Sequence, residues 1–121
     1  MPDRALVETF AARVEAGDYL GAIQDFYAVD ATMQENLEAP RVGRDVLLEH
    51  ERRILAGVEA MGATRLGRIL IEGDQVVIRW RFVMVTAQGP DRELEEVAWQ
   101  TWRDGRIVAE QFYYDPSQLR S

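Results

Sequence analysis

The stretch WQTWRDGRIVAEQFYYD, residues 99–115, constrains the fold more than any other part of the chain. Two runs rich in aromatic and β-branched residues flank Asp104-Gly105, a pair that favours a two-residue type I′ turn. We therefore predict a β-hairpin whose strands pair outward from Arg103 and Arg106.

An uninterrupted hairpin of this kind fixes which side chains share a face of the sheet. On one face we expect Glu96, Ala98, Gln100 and Trp102 to lie opposite Tyr113, Gln111, Ala109 and Ile107. On the other face we expect Glu95, Val97 and Trp99 to lie opposite Tyr114, Phe112 and Glu110. Large apolar side chains occur on both faces, whereas a sheet with one solvated face has them mainly on the buried side.

The second of these faces would expose an apolar patch in a monomer. Patches of this kind mark contact surfaces between proteins. We therefore predict a homodimer through the outer sheet face, formed by Val97, Trp99, Phe112 and Tyr114. The alternative is that a long loop or the C-terminal tail covers the patch.

Apolar side chains at helical spacing predict three helices before these strands. Asp3 and Asp18 are positioned to cap the first two helices. The third and longest carries an apolar stripe from Val46 to Met61. A short strand, DATMQENLEAP, separates the second and third helices, and four extended runs follow the third. The predicted order of elements is ααβαββββ.

The length of 121 residues suits a single domain, 1–121. The predicted class is α+β, with an antiparallel sheet and the helices on one of its faces, because short connections cannot form parallel crossovers. The strand VVIRWRFVMV is predicted to turn Trp80 and its alternate neighbours toward the helices.

Composition excludes several kinds of chemistry. A formal charge of -7 with scattered arginines argues against nucleic acid or an anionic membrane surface as a partner. The chain has no cysteine, no lysine and one histidine, so thiol nucleophiles, Schiff bases and histidine metal clusters are ruled out. We predict no metal and no cofactor.

Because the N-terminus lacks a signal-peptide pattern and no run approaches the roughly 20 apolar residues of a membrane span, we predict a cytoplasmic location.

Three stretches carry a resemblance to a known family: FAARVEAGDYLGAIQDFYAVDATMQE, APRVGRDVLLEHERR and WQTWRDGRIVAEQFYYD. Together with the order of elements they resemble the nuclear transport factor 2-like superfamily, and within it the small bacterial SnoaL-like proteins related to ketosteroid isomerase. The resemblance covers nearly the whole chain. It implies a cone-shaped, strongly curved antiparallel sheet wrapped around a long helix, with two shorter N-terminal helices and an apolar pocket open at one end.

The resemblance also assigns positions within that pocket. Glu35 aligns with the carboxylate that serves as the base in the ketosteroid isomerases. The tyrosine and the protonated aspartate that stabilise the enolate in those enzymes align with Phe10 and Ala98, so both donors are missing. The loss of each donor costs about 3 kcal/mol of transition-state stabilisation. The aspartate of SnoaL-type cyclases also aligns with Ala98, and the epoxide hydrolases of this superfamily need acids that this chain lacks beside Arg79 and Arg81.

The residues left for the pocket define a candidate site. We predict Glu35 as the base, with His50 or Tyr113 as the proton donor. Ligand-binding positions are predicted at Phe10, Trp80, Glu96, Ala98, Gln100 and Gln111. Each has a structural alternative: Glu35 could pair with Arg41 or Arg44 at the rim, His50 could be a core residue, and Glu96 with Tyr113 could be a structural pair.

Two functions from different classes remain open at this point. The first is a small enzyme of the isomerase, lyase or cyclase type that acts on an apolar carbonyl compound by acid-base chemistry. The second is a non-catalytic, dimeric protein that binds a small apolar ligand in the same pocket. An assembly module without a pocket is a third.

Overall fold

The computed structural model describes residues 1–119, so the last two residues of the predicted domain 1–121 lie outside the described residues. Three helices precede or interrupt the strands: α1 (Arg4–Glu15), α2 (Tyr19–Phe26) and α3 (Arg44–Ala56). The strands are β1 (Tyr27–Glu35), β2 (Arg41–Val42), β3 (Ala60–Arg65), β4 (Leu70–Glu72), β5 (Gln75–Val85), β6 (Arg92–Arg103) and β7 (Arg106–Tyr113). A 3₁₀-helix, Pro116–Leu119, follows β7. The predicted α+β class is confirmed.

The first two helices begin where the sequence predicts. The Asp3 carboxylate accepts a hydrogen bond from the backbone N–H of Leu6 at 2.8 Å, and the Asp18 carboxylate accepts one from Gly21 at 3.1 Å. Each bond satisfies an N–H group that has no partner inside the helix. The third helix ends at Ala56, before Gly57, so the predicted stripe overran it and Met61 lies in β3.

One sheet contains all the strands, in the order β2-β1-β7-β6-β5-β3, with β4 also paired to β5. The pairs β3–β5, β5–β6 and β6–β7 are antiparallel, as predicted. The pair β1–β7 is parallel, so the sheet is mixed rather than wholly antiparallel. A parallel pair needs a long crossover, and here α3 and strands β3–β6 supply it.

The β6–β7 hairpin contains an irregularity that changes the predicted faces. Asp104 and Gly105 have φ values of 52° and 76°, as a type I′ turn requires, and Trp102 pairs with Ile107. The next pair, however, is Thr101 with Ala109, which leaves Val108 as an extra residue in a β-bulge. One extra residue reverses the face of every later side chain in the strand.

Beyond this bulge the predicted register is wrong by one residue. Glu110 and Phe112 turn toward the helices, while Gln111 and Tyr113 turn to the outer face. The predicted outer patch therefore keeps Val97 and Trp99 but loses Phe112, which lines the cavity, and Tyr114, whose hydroxyl donates to Glu35. Ile107 and Glu110 are both buried, and a strand can bury side chains three positions apart on one face only if a bulge lies between them.

The core lies between the helices and the concave face of the sheet. Phe10 of α1 is its centre, with edge-to-face contacts to Phe26, Tyr27 and Trp102 at centroid distances of 5.5–6.1 Å. The alternate residues Val76, Ile78 and Trp80 are buried against it, so the predicted inner face of β5 is confirmed. No helix within residues 1–119 is long and apolar enough to cross a membrane.

Candidate functional site

A partly open cavity of about 160 Å³ lies between the helices and the concave face of the sheet. Both the helices and the sheet contribute to its apolar wall, because each helix and most long strands turn an apolar stripe or face inward. The wall includes Phe10, Ile23, Met33, Leu47, Ile54, Met61, Trp80, Phe82, Leu94 and Phe112. Its titratable groups are His50, Glu35, Glu51, Glu96, Glu110, Tyr19 and Tyr27.

Glu35 occupies the end of β1, where the strand reaches the edge of the cavity. Its Oε2 atom accepts a hydrogen bond from the Tyr114 hydroxyl at 3.3 Å and lies 3.8 Å from a guanidinium nitrogen of Arg41. Both alternatives drawn from the sequence are thus present together, since Glu35 lines the cavity and also pairs with Arg41. Burial and the Glu35 charge raise the pKa of Tyr114 to about 12, so its hydroxyl keeps its proton.

Glu96 lies on the inner face of β6 and has a different environment. It makes no hydrogen bond and no ion pair within residues 1–119. Burial raises its pKa to about 8, and repulsion from Glu110, Glu35 and Glu51 adds to the shift. At neutral pH the Glu96 side chain is therefore mainly a neutral carboxylic acid, which can donate a proton or a hydrogen bond into the cavity.

Glu110 is buried and belongs to a chain of hydrogen bonds beneath the cavity. The Tyr27 hydroxyl donates to Oε1, and the side-chain amide of Gln100 donates to Oε2 at 2.7 Å. The indole N–H of Trp102 in turn donates to Gln100 at 2.9 Å. Burial raises the pKa of Glu110 to about 7, although these two hydrogen bonds act in the opposite direction. Burial and the neighbouring carboxylate raise the pKa of Tyr27 well above its usual value.

Helix α3 contributes two adjacent titratable residues to the wall. Burial and the nearby Arg41 lower the pKa of His50, which leaves a neutral imidazole at neutral pH. Burial and repulsion from Glu35 raise the pKa of Glu51. Both side chains reach the cavity because they follow Leu47 by three and four positions, on the same face of the helix.

The structure brings some of the sequence-predicted residues together and separates others. Phe10, Glu35, His50, Trp80 and Glu96 line one cavity. Ala98 is buried in the core and Gln100 lies below the cavity, where it holds Glu110. Tyr113, predicted as a proton donor, is 44% exposed on the outer face, and Gln111 lies beside it and donates to the Asn36 carbonyl. The bulge at Val108 accounts for both displacements.

Sequence reasoning missed Tyr27, Glu51, Glu110, Phe112 and Tyr114 as neighbours of the site. The position of Glu51 could have been predicted, because its spacing from Leu47 and Ile54 places it on the inner face of α3. The strand β7 gave no such signal, since its faces depend on the bulge. Tyr27 directly follows α2 and is the first residue of β1.

The outer face of the sheet has a second depression, of about 460 Å³. Trp99 and Tyr113 border it together with polar side chains, and the Trp99 indole donates to Gln75 at 2.7 Å. The volume is larger than that of the inner cavity, but the titratable side chains in its wall are Glu110 and Tyr113, compared with seven in the inner cavity. We therefore place the candidate site in the inner cavity. No three His, Asp or Glu side chains within residues 1–119 are arranged to hold a metal ion.

The fold and the position of this cavity agree with a known family. Residues 7–110 match the SnoaL-like domain family, which is most of the chain. The chain therefore belongs to the SnoaL-like domain family, within the nuclear transport factor 2-like superfamily. None of the curated proteins matches the sequence.

Solved structures agree in fold at low sequence identity. A Mesorhizobium loti protein described as a candidate SnoaL-like polyketide cyclase is 24% identical, with a TM-score of 0.79, over 94% of this chain and 100% of its own. A Catenulispora acidiphila protein of ketosteroid isomerase-like fold, in complex with trimethylamine, is 22% identical, with a TM-score of 0.79, over 98% and 90%. An LEH-like epoxide hydrolase of M. tuberculosis is 17% identical, with a TM-score of 0.76, over 94% and 83%. At these identities the likeness establishes the fold.

Proposed function

We propose that the protein binds a small, mainly apolar compound in the inner cavity and moves a proton on it, as a cofactor-independent isomerase, lyase or cyclase. Glu35 takes the proton and Glu96 donates one. The observation that carries this proposal is the contrast between two carboxyl groups in one cavity. Glu35 accepts from Tyr114 beside Arg41, whereas Glu96 is unpaired and has a pKa of about 8. Such a contrast separates the role of base from that of acid.

Glu96 also supplies a donor where the family's usual donors are absent. Phe10 and Ala98 occupy those two positions, and neither can stabilise a developing oxyanion. Glu96 precedes Ala98 by two residues and shares its face of β6, and its neutral carboxyl group can donate to a carbonyl oxygen. This assignment replaces Tyr113, which lies outside the cavity, as the proton donor; His50 stays a second candidate because it lines the same wall.

Replacing Glu35 by glutamine is expected to slow proton transfer about 100- to 10,000-fold, because a general base contributes on that scale. The measurement is exchange of deuterium from D₂O into a panel of small carbonyl compounds, followed by NMR, which requires no knowledge of the product. The matched control is Glu38→Gln, since Glu38 is exposed three residues further on. The control is expected to exchange at the wild-type rate.

Two results would decide against the enzyme proposal. If Glu35→Gln and the wild type exchange deuterium equally fast, Glu35 is not the base. If the wild type binds compounds in the cavity but catalyses no exchange, the second function, a non-catalytic binding protein with the same pocket, is correct.

We further propose a homodimer through the outer sheet face. Trp99, 48% exposed, and Tyr113 lie on this face with Val97, and they support a contact because large aromatic side chains are favoured at interfaces. Sedimentation equilibrium at micromolar concentration is expected to give a dimer for the wild type and a monomer for Trp99→Glu. Val29→Glu, at an exposed apolar position on β1, is expected to stay dimeric. A monomeric wild type would exclude the dimer.

The cytoplasmic location stays a prediction.

A further inference from the structure

The inner cavity contains acidic groups that lack positive partners. Four glutamates line it, and no arginine is among the lining residues. Glu51 and Glu96 make neither a hydrogen bond nor an ion pair within residues 1–119. The only cation that contacts any of the four glutamates within this part of the chain is Arg41, 3.8 Å from Glu35. The deeper part of the cavity therefore has no internal counter-charge for its carboxyl groups.

Aromatic rings form much of the remaining wall. Six contribute to it, from α1, α2, β1, β5 and β7: Phe10, Tyr19, Tyr27, Trp80, Phe82 and Phe112. The rings of Trp80 and Phe82 are neighbours, with centroids 5.9 Å apart. The electron-rich faces of aromatic rings attract organic cations rather than carboxylates, and Trp does so most strongly. Acidic groups and aromatic rings thus both favour an organic cation as the ligand of this cavity.

We propose that the cavity binds a small organic cation, such as a compound that carries a trimethylammonium group. This inference rests on the proposed function, because it takes the inner cavity as the ligand site and names the charge class of the substrate. The volume of about 160 Å³ suits one compact group, similar in scale to cavities that hold a benzene molecule. A carboxylate or phosphate would meet four acidic groups and no arginine in the wall, so the lining disfavours anionic ligands.

The groups around Glu96 make cation binding dependent on pH. They are Glu35 and Tyr27 on β1, Tyr19 on α2, His50 and Glu51 on α3, Glu110 on β7 and Tyr114 beyond it. None of these is a cation at neutral pH, since the His50 pKa is lowered. A bound cation favours the ionised form of Glu96, so Glu96 releases its proton when the cation enters. With a cationic substrate, the proton donor is therefore the second candidate, His50, which lines the same wall. Affinity for a permanent cation is therefore expected to rise as the pH increases from about 6 to about 9.

The test compares choline with 3,3-dimethylbutan-1-ol, which has the same shape but no charge. Isothermal titration calorimetry of the whole protein is expected to show choline binding about tenfold or more tightly at about pH 8. Glu96→Gln is expected to remove most of this preference and its pH dependence. The matched control, Glu95→Gln, changes the adjacent exposed glutamate and is expected to keep both.

The outcomes separate this inference from the proposed function. Equal binding of the two compounds, or tighter binding of the neutral one, would overturn the cation assignment while the cavity and Glu35 keep their proposed roles. Absence of binding by both would overturn it as well. The proposed function fails only in the deuterium-exchange experiment, whatever the charge of the ligand.

Discussion

Raising the pH from about 6 to about 8.5 is expected to lower the free energy of unfolding by roughly 3 kcal/mol. The reason is that Glu96 and Glu110 have pKa values of about 8 and about 7 in the folded protein, against an ordinary value of 4.5. Between these values the folded state holds protons that the unfolded state has released. Stability from these groups is therefore complete below about pH 4.5 and is lost as the pH rises through their folded pKa values.

The experiment is urea unfolding at a series of pH values. A loss of this size corresponds to a fall in melting temperature on the order of 10 °C for a chain of this length. Glu96→Gln is expected to reduce the slope and to be more stable than the wild type above about pH 8, because it buries no charge. Glu95→Gln serves as the control and is expected to keep the wild-type slope. A wild-type stability that is flat across this range would show that both acids titrate normally.

Replacing Trp102 by alanine is expected to cost about 4 kcal/mol of stability, the scale of a large aromatic lost from a core. Trp102 is 1% exposed, and its ring packs edge-on against Phe10 at 5.9 Å. Its indole N–H also holds Gln100, which in turn holds Glu110. The substitution therefore opens a cavity and weakens the buried chain of hydrogen bonds at the same time.

Denaturant unfolding of two further variants separates these contributions. Trp102→Phe keeps a ring but removes the N–H group, and is expected to cost about 1–2 kcal/mol. Leu70→Ala, at an exposed position on β4, is expected to change stability by less than about 0.5 kcal/mol. If Trp102→Ala lost no more than Leu70→Ala, the described packing of Phe10 against Trp102 would be incorrect.

Local sequence signals predicted two helix starts, the inner face of β5 and the hairpin turn, although the chain has seven strands rather than the five expected. Asp3 and Asp18 marked two helix starts because a short acidic side chain before a periodic apolar run satisfies free N–H groups. The alternation along β5 placed Trp80 inward, since one face of a sheet must cover the helices. Asp104-Gly105 located the hairpin turn, because few residue pairs adopt two positive φ values. Each of these signals depends only on residues that lie a few positions apart in the sequence.

The bulge at Val108 shows why the candidate site could be predicted only in part. The residues VAEQFYY present apolar side chains at positions of both parities, so the sequence is compatible with either face. Packing of Ile107, Glu110 and Phe112 against the helices decides between them. The predicted register has no bulge at Val108, so it places Tyr113 in the site and Glu110 outside it.

The α+β class, the hairpin turn and the absence of thiol and lysine chemistry follow from composition and from periodicities along the chain. The resemblance to the SnoaL-like family rests on three particular stretches of the sequence and on the order of elements. Folding brings Glu35, Glu51, Glu96 and Glu110 into one cavity, keeps Glu96 mainly neutral at neutral pH and places Glu35 beside Arg41. Protonation depends on burial and on charges from β1, α3 and β7, which are far apart in sequence and meet only in the folded protein.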